Sequence, residues 1–308
     1  MNWHSEEIGA LVRHALAEDV GTGDATTTAI VPRGAPAKAK ILARQTLVCA
    51  GLPLAESVFR TLDREMRIGR LHKDGALVEP GAELIELVGA AQAILTGERT
   101  ALNFLAHLCG IATLTRRFVE QLAGTRTRIR DTRKTTPGLR ALEKYAVKTG
   151  GGTNHRFGLY DAILIKENHI AIAGGVKAAL DRAHAYTSLK MAAPRASSAY
   201  DAAGLGPEMV GPGPLSVQIE VRNEAELREA LDAGAESVLL DNMTPEEAKR
   251  CVALARSLRR DCVIEISGGI TLGNARAYAE TGADFLSSGA LTHSAPAANL
   301  SLLVERVG

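Results

Sequence analysis

Apolar positions recur along the chain with two periods, and the shift from one to the other divides it. Near the start, Ile8, Leu11, Val12, Ala15 and Leu16 share one side of a helix predicted over residues 4–18. Across residues 38–88 the pattern shortens to alternating strands with turns at Asp74-Gly75 and Pro80-Gly81, and residues 77–85 read as strand, turn, strand. A long helix is predicted over residues 96–122, with Leu102, Leu105, Ala106, Cys109, Ala112 and Thr113 forming its apolar face. Thr96 stands where its cap is expected, and His107 and Cys109 are expected to pack.

Beyond residue 122 strands and helices alternate. Strands are predicted over residues 126–133, 162–166, 217–221, 237–240, 263–267 and 284–287. Two stretches, EAELREALDAGAESVLLDN and LGNARAYAETGADFLSSGA, repeat the same order of helix, Gly-Ala, acidic residue, apolar strand and polar end. A repeated helix-to-strand unit implies a parallel sheet with right-handed crossovers, open or closed into a barrel. With about six or seven strands, a complete eight-stranded ring is not assured. The apolar runs end in Lys166, Glu220, Asp241, Ser267 and Ser287-Ser288. In a parallel barrel such strand ends converge on one face, where active sites are built. Residues 186–214, rich in Ala, Ser, Gly and Pro without a period, read as a mobile surface insertion, with a lid over the site as the alternative.

The composition is that of a globular enzyme: 308 residues, 46% hydrophobic and 23% charged. Aromatics at 4% without basic interleaving disfavour nucleic-acid binding. No apolar run approaches a membrane span, and the acidic, amphipathic start is unlike a signal peptide. Cys49, Cys109, Cys251 and Cys262 lack C-x-x-C spacing and read as buried thiols of a cytoplasmic protein.

Charge changes the picture more. The chain carries a net charge of only +1, yet Arg126, Arg128, Arg130, Arg133, Lys134, Arg140, Lys144, Lys148, Arg156 and Lys166 fall in one stretch punctuated by Pro137-Gly138 and Gly150-Gly151-Gly152. Flexible backbone beside clustered cations suits small anions with several oxygens. Opposite them, Glu220 and Asp241 suit sugar hydroxyls or a hydrated Mg²⁺ accompanying pyrophosphate. Ser267-Gly268-Gly269 and Ser288-Gly289-Ala290 each follow a strand and precede a helical segment, the usual phosphate position of a barrel. His155 in the glycine-rich loop is suited to bonding a carboxylate, while His169 reads as structural.

Several motifs carry a resemblance. Glu98-Arg99-Thr100-Ala101-Leu102-Asn103, Asp131-Thr132-Arg133-Lys134-Thr135-Thr136-Pro137-Gly138, Gly150-Gly151-Gly152-Thr153-Asn154-His155-Arg156, Ile165-Lys166-Glu167-Asn168-His169 and Leu240-Asp241-Asn242 resemble the quinolinate phosphoribosyltransferase family, over residues 8–294. The resemblance implies a small α/β N-terminal domain, residues 1–112 joined by 296–308, and an incomplete α/β barrel of parallel strands, residues 113–295. It implies a homodimer in which each subunit completes the other's site. Arg133, His155 and Arg156 would hold the pyridine dicarboxylate, with Arg99 reaching in from the partner. Lys134 and Lys166 would face the reacting centre and pyrophosphate, Glu220 and Asp241 the ribose hydroxyls and Mg²⁺, and Ser267, Gly268, Gly269, Ser288 and Gly289 the 5-phosphate. The insertion at 186–214 is longer than the family's usual connection.

The chemistry so implied joins the ring nitrogen of quinolinate to C1 of phosphoribosyl pyrophosphate as pyrophosphate leaves, followed by loss of the 2-carboxylate as CO₂. No general base is needed, because the pyridine nitrogen is already a nucleophile. A transferase acting on another heterocyclic acid, or a non-catalytic protein binding phosphorylated metabolites, are the alternatives. The set Arg99, Arg133, His155 and Arg156 speaks against the first, and the pair Glu220 and Asp241 against the second.

Overall fold

A computed structural model describes residues 1–190 and 215–306 of the chain. Helix α1 (Glu6–Val20) is capped by Ser5, whose hydroxyl accepts the Ile8 N–H, and buries Ile8, Val12 and Leu16. Helix α2 (Ala25–Ile30) is capped in the same way by Asp24. Strand β1 (Pro36–Ala43) alternates buried and less buried residues, the mark of a sheet with one face in the core. It pairs antiparallel with β5 (Glu83–Ala90) on one side and with β12 (Leu300–Arg306), from the far end of the chain, on the other. β3 (Arg67–Arg70) completes this four-stranded sheet, in the order β12-β1-β5-β3.

Two sequence expectations are corrected in this part, and a third is refined. The stretch read as strands alone contains helix α3 (Leu52–Leu62), which buries Leu52, Leu54, Ala55, Val58 and Phe59. Its N-cap, Gly51, offers no side chain. The Gly51 and Leu52 N–H groups instead donate to Asp74, at 2.9 and 3.1 Å, so the start signal lies far along the chain. Residues 77–85 do hold strands on both sides of a turn, but β4 (Leu77–Val78) pairs with β2 (Leu47–Val48) and not with β5. The long helix α4 (Ala91–Gln121) begins before Thr96, directly out of β5, with the Ala91 N–H donating to the Ala35 carbonyl at 2.8 Å. Thr96 is thus inside the helix, and its hydroxyl donates to Asp24 at 3.1 Å. On α4, Cys109 is buried, while the half-buried His107 bonds Glu143 at 2.8 Å.

The remaining chain alternates as expected: β6 (Arg128–Arg130), α5 (Arg140–Thr149), β7 (Ile163–Ile165), α6 (Glu167–Ala173), α7 (Val176–Lys190), β8 (Val217–Val221), α8 (Glu224–Asp232), β9 (Ser237–Asp241), α9 (Pro245–Leu258), β10 (Val263–Ser267), α10 (Ala275–Ala279), β11 (Phe285–Ser287) and α11 (Ala290–His293). The repeated sequence units are α8 with β9 and α10 with β11. All six strands run parallel in the order β6-β11-β10-β9-β8-β7, so consecutive strands are neighbours except at one seam. The ring does not close between β6 and β7. The fold is therefore mixed α/β, with an incomplete barrel beside a smaller antiparallel sheet. Residues 186–190, expected in the irregular insertion, continue α7; residues 191–214, and with them the lid reading, lie outside the described residues.

All four cysteines are buried free thiols, and burial pushes Cys49 up to about 12 and Cys262 up to about 11, which makes them inert. No helix among the described residues is long and apolar enough to cross a membrane.

Where α5 ends, the chain passes so close to α4 that a Cβ on Gly150 would sit 2.4 Å from the Ala112 carbonyl oxygen and 2.7 Å from Thr115 Cβ. Backbone on one side leaves no room to yield. Gly150→Ala is expected to destabilise the protein by about 1–3 kcal/mol through overpacking, measured as a lower midpoint of urea unfolding at unchanged slope.

Candidate active site

Parallel strands present their C-terminal ends at one mouth, and side chains two apart on a strand share a face. That pairs Leu164 with Lys166, Gln218 with Glu220, Leu239 with Asp241 and Glu265 with Ser267. The strand-end members, with the loops after β6, β10 and β11, line a cleft of about 690 Å³, the size of small-molecule sites.

At one end of the cleft Arg133 and Arg156 come together. Arg156 Nη1 donates to the Ala162 carbonyl at 3.0 Å, but the Nε atoms of both guanidinium groups are buried without a hydrogen-bond partner. Burial, and next the charge of Arg133, hold the Arg156 guanidinium below its ordinary value, with Asp161 offsetting part. Like charges held together with spare donors are stabilised by an anion that has several oxygens.

The middle of the cleft carries both signs. Lys166 forms an ion pair with Glu220, the lysine half-exposed and the carboxylate nearly covered. His169, at the start of α6, accepts the Lys166 N–H at 2.9 Å and so fixes that strand end, the structural role expected of it. Asp241 accepts a bond from Asn242 Nδ2 at 2.7 Å. Asn242 is left-handed, with φ of 54°, and its N–H donates to the Ser267 carbonyl at 2.9 Å. This turn presses on Gly268, where φ is 95° and an added Cβ would lie 2.2 Å from Asn242 Oδ1; glycine is required there. At the other end, Gly268-Gly269 and Ser288-Gly289 face each other with His293. Ser288 Oγ donates to the Ile270 carbonyl at 2.8 Å, and Thr292 Oγ1 donates to the Lys134 carbonyl at 2.7 Å, tying these loops to the one after β6.

The His155 segment is held from below by a buried ion pair. Lys144 and Asp131 are fully buried and lie 2.5 Å apart. Asp131 also accepts the His155 N–H at 2.8 Å and Asn154 Nδ2 at 2.5 Å, while Lys144 donates to the His155 carbonyl at 3.0 Å. Burial pushes the Asp131 carboxyl up and the Lys144 ammonium down, and each group opposes the other's shift.

Comparison with known proteins identifies the family. Residues 24–109 match the family description "Quinolinate phosphoribosyl transferase, N-terminal domain", and residues 111–193 and 206–303 match its C-terminal counterpart. The chain belongs to the quinolinate phosphoribosyltransferase family. It is 39% identical over 96% of its length to a "Probable nicotinate-nucleotide pyrophosphorylase [carboxylating]" of Bacillus subtilis, covering 93% of that protein. It is 40% identical to the "Nicotinate-nucleotide pyrophosphorylase [carboxylating]" of Mycobacterium leprae, over 92% of each chain. The solved nicotinate-nucleotide pyrophosphorylase of Francisella tularensis superposes with a TM-score of 0.85 at 38% identity, covering 97% of this chain and 96% of that one.

In this family member the cleft gathers Arg133, Lys134, His155, Arg156, Lys166, Glu220, Asp241, Ser267, Gly268, Gly269, Ser288 and Gly289. Arg99 is not among its lining residues and lies exposed on α4. The ten cations of the basic stretch do not act together, contrary to the sequence reading. Arg126 pairs with Asp284, Arg130 with Glu265, and Lys144 with Asp131, while Arg140 braces Thr135 and the Phe157 carbonyl. What remains facing the cleft is Arg133, Lys134, Arg156 and Lys166. Sequence reasoning passed over Glu265 and Gln218, which are buried under the site, and over His293. A signal was there: Glu265 is a polar residue in the middle of the apolar run of β10, and Gln218 stands between apolar residues two positions before Glu220 in β8.

Removing one member of the Lys144–Asp131 pair leaves an uncompensated buried charge and frees the His155 peptide. Lys144→Met is expected to cost about 3–5 kcal/mol of stability, to be read from denaturant unfolding. A variant as stable as the parent sinks the idea that this pair holds the loop.

Proposed function

We propose that this chain transfers the phosphoribosyl group of phosphoribosyl pyrophosphate to the ring nitrogen of quinolinate and releases the 2-carboxylate as CO₂. The products are nicotinate mononucleotide and pyrophosphate, a step of de novo NAD biosynthesis, in the cytoplasm. The observation that carries this reading is the pair of buried, unpartnered Arg133 and Arg156 Nε donors at one end of a cleft whose other end is built of small residues ahead of helices. A planar dicarboxylate answers the first end and a sugar phosphate the second.

Each residue then has a task. Arg133, His155 and Arg156 orient quinolinate so that its nitrogen faces the sugar. Glu220 and Asp241 hold the ribose hydroxyls and favour the cation-like ribose of the transition state, while Lys134 and Lys166 stabilise the departing pyrophosphate. Ser267, Gly268, Gly269, Ser288 and Gly289 bind the 5-phosphate. Once the ring nitrogen is quaternised it is itself the electron sink for decarboxylation, and the guanidinium groups keep the ring in place.

Among the described residues no group of three or more His, Cys, Asp or Glu side chains suits a metal ion. Two carboxylates remain, Glu220 and Asp241, and they fit Mg²⁺, an ion held by one or two carboxylates together with substrate phosphates and water. When bound, Mg²⁺ would supply charge neutralisation of the pyrophosphate.

Residues 1–112 with 296–308 are read as one domain and 113–295 as the other. Because Arg99 is exposed on α4 and does not line its own cleft, a homodimer that places it in the neighbour's site gives it a use.

The defining assay supplies quinolinate, phosphoribosyl pyrophosphate and Mg²⁺ and follows the pyridine absorbance; turnover of a different heterocyclic acid in its place would overturn the reading. Within that assay, Arg133→Ala and Arg156→Ala are each expected to lose about 1.5–3 kcal/mol per charge-assisted bond in quinolinate binding, with phosphoribosyl pyrophosphate binding little changed in calorimetry. Equal weakening of both ligands contradicts the placement.

The shared site has its own test. Arg99→Ala and Lys134→Ala are each expected to be nearly inactive, Lys134→Ala by about 10²–10³-fold. Mixed under conditions that exchange subunits, they should regain about a quarter of the parent activity, because half the dimers are hybrids with one intact site of two. No recovery, with exchange verified by mass spectrometry, would return Arg99 to its own subunit.

A further inference from the structure

Under the strand-end residues lies a second polar tier that the chemistry above leaves unused. Glu265, in the middle of β10, is fully buried. Its Oε2 accepts from Arg130 Nη1 at 2.9 Å and from Gln218 Nε2 at 3.2 Å. Its Oε1 is buried without a hydrogen-bond partner and lies 3.5 Å from His155 Nε2. A buried carboxylate oxygen lacking a donor is costly, and such atoms call for an explanation.

The imidazole beside it is set in one form. His155 Nδ1 accepts the Arg156 N–H at 2.7 Å, so it carries no proton, and the ring proton is on Nε2, facing Gln218 Oε1 at 3.2 Å. The ring is therefore neutral in this arrangement. Burial drives it that way, while Glu265 opposes; Arg130 and Lys144 act with burial, and Asp131 acts with Glu265. These groups reach His155 from β10, β6, α5 and the turn after β6, with Gln218 from β8. Arg133, Arg156 and Lys166 add positive charge from the cleft. A cation-rich surround keeps the imidazole neutral until negative charge arrives.

We propose that His155 and Glu265 form a proton-storing pair beneath the pyridine end of the cleft, through which the site takes up one proton from solvent as a dicarboxylate binds. This rests on the dicarboxylate placement proposed above. The arriving dianion cancels the repulsion from Arg133 and Arg156. His155 Nδ1 then gains a proton, separates from the Arg156 N–H and donates to a ligand carboxylate. The Nε2–H is left to Glu265 Oε1, which gains the donor it lacks. Glu265 is thus a positioning residue: it sets how much charge the site presents without touching substrate.

The sign follows by linkage. His155 in the free protein sits below its ordinary value and the bound dianion raises it, so uptake is full between those two limits and vanishes above the upper one. The test is calorimetric titration of the full-length protein with quinolinate alone, near neutral pH, in buffers of different ionisation enthalpy. The slope of heat against buffer enthalpy is expected to give about one proton taken up, and affinity is expected to fall about tenfold per pH unit within the window. Glu265→Gln and His155→Gln should each bind with a slope near zero and an affinity flat with pH. A purely structural role for Glu265 would change stability or affinity but not the proton count. Buffer-independent heat in the parent protein overturns the proposal and leaves the dicarboxylate site standing. Uptake that persists in Glu265→Gln also overturns it. Absence of any quinolinate binding by the parent sinks the placement and the proposal with it. Should Glu265→Gln fail to fold, the parent and His155→Gln decide the matter between them.

Discussion

The clasp of Lys144 and Asp131 on the backbone of one residue, His155, is the constraint on which the Arg133–Arg156 end of the cleft depends. One partner takes the N–H of His155 and the other gives to its carbonyl, so both polar groups of that backbone are fixed by charges buried completely. Neither ion is tolerable there alone. The energetic demand of the pair is what forces the glycine-rich turn to close over it, and the turn in turn aims His155 and Arg156 upward. Thr153, two residues earlier, forms a parallel bridge to Arg130 and extends the free edge of β6. Local rigidity here is electrostatic before it is hydrophobic.

Above that clasp, the cations differ in how far the protein itself satisfies them. Other cations of the same stretch find protein partners: the half-buried Arg130 on Glu265 and over the Phe285 ring at 3.3 Å, and the exposed Arg126 on Asp284. Those at the mouth keep unspent donors. Arg130 stands on β6, whereas Arg133, Lys134 and Arg156 are carried by loops above the strand ends. Sites of this kind pre-pay the cost of holding like charges together through the folding of the whole barrel.

Much of this was legible from the residues alone because the relevant signals are local. A strand such as VIEIS between turns, or VLLDN after a helix, announces both its element and its polar end within a few positions. The motifs around Arg133 and His155 likewise carry family identity in unbroken runs. What stayed hidden depends on distant partners. Helix α3 has no cap of its own and borrows Asp74. Thr96 resembles a cap but is preceded by backbone that is already helical. Glu265 and Gln218 are inward-facing polar residues flanked by apolar ones, and only their meeting under His155 gives them a meaning. The basic stretch misled in the same way, because a count of cations does not reveal which are already matched by carboxylates elsewhere in the chain.

The seam between β6 and β7 has a mechanical consequence. A closed barrel has its radius set by strand number and stagger, so its mouth changes only if every strand shifts together. Here the loop bearing His155 and Arg156 occupies the gap, held by ionic and hydrogen-bonding contacts instead of a ladder on both sides. The wall that carries His155 and Arg156 is accordingly a separate module set into a fixed frame. Substitutions there can reshape that end of the cleft while the Gly268-Gly269 and Ser288-Gly289 loops, on the uninterrupted side, keep their spacing.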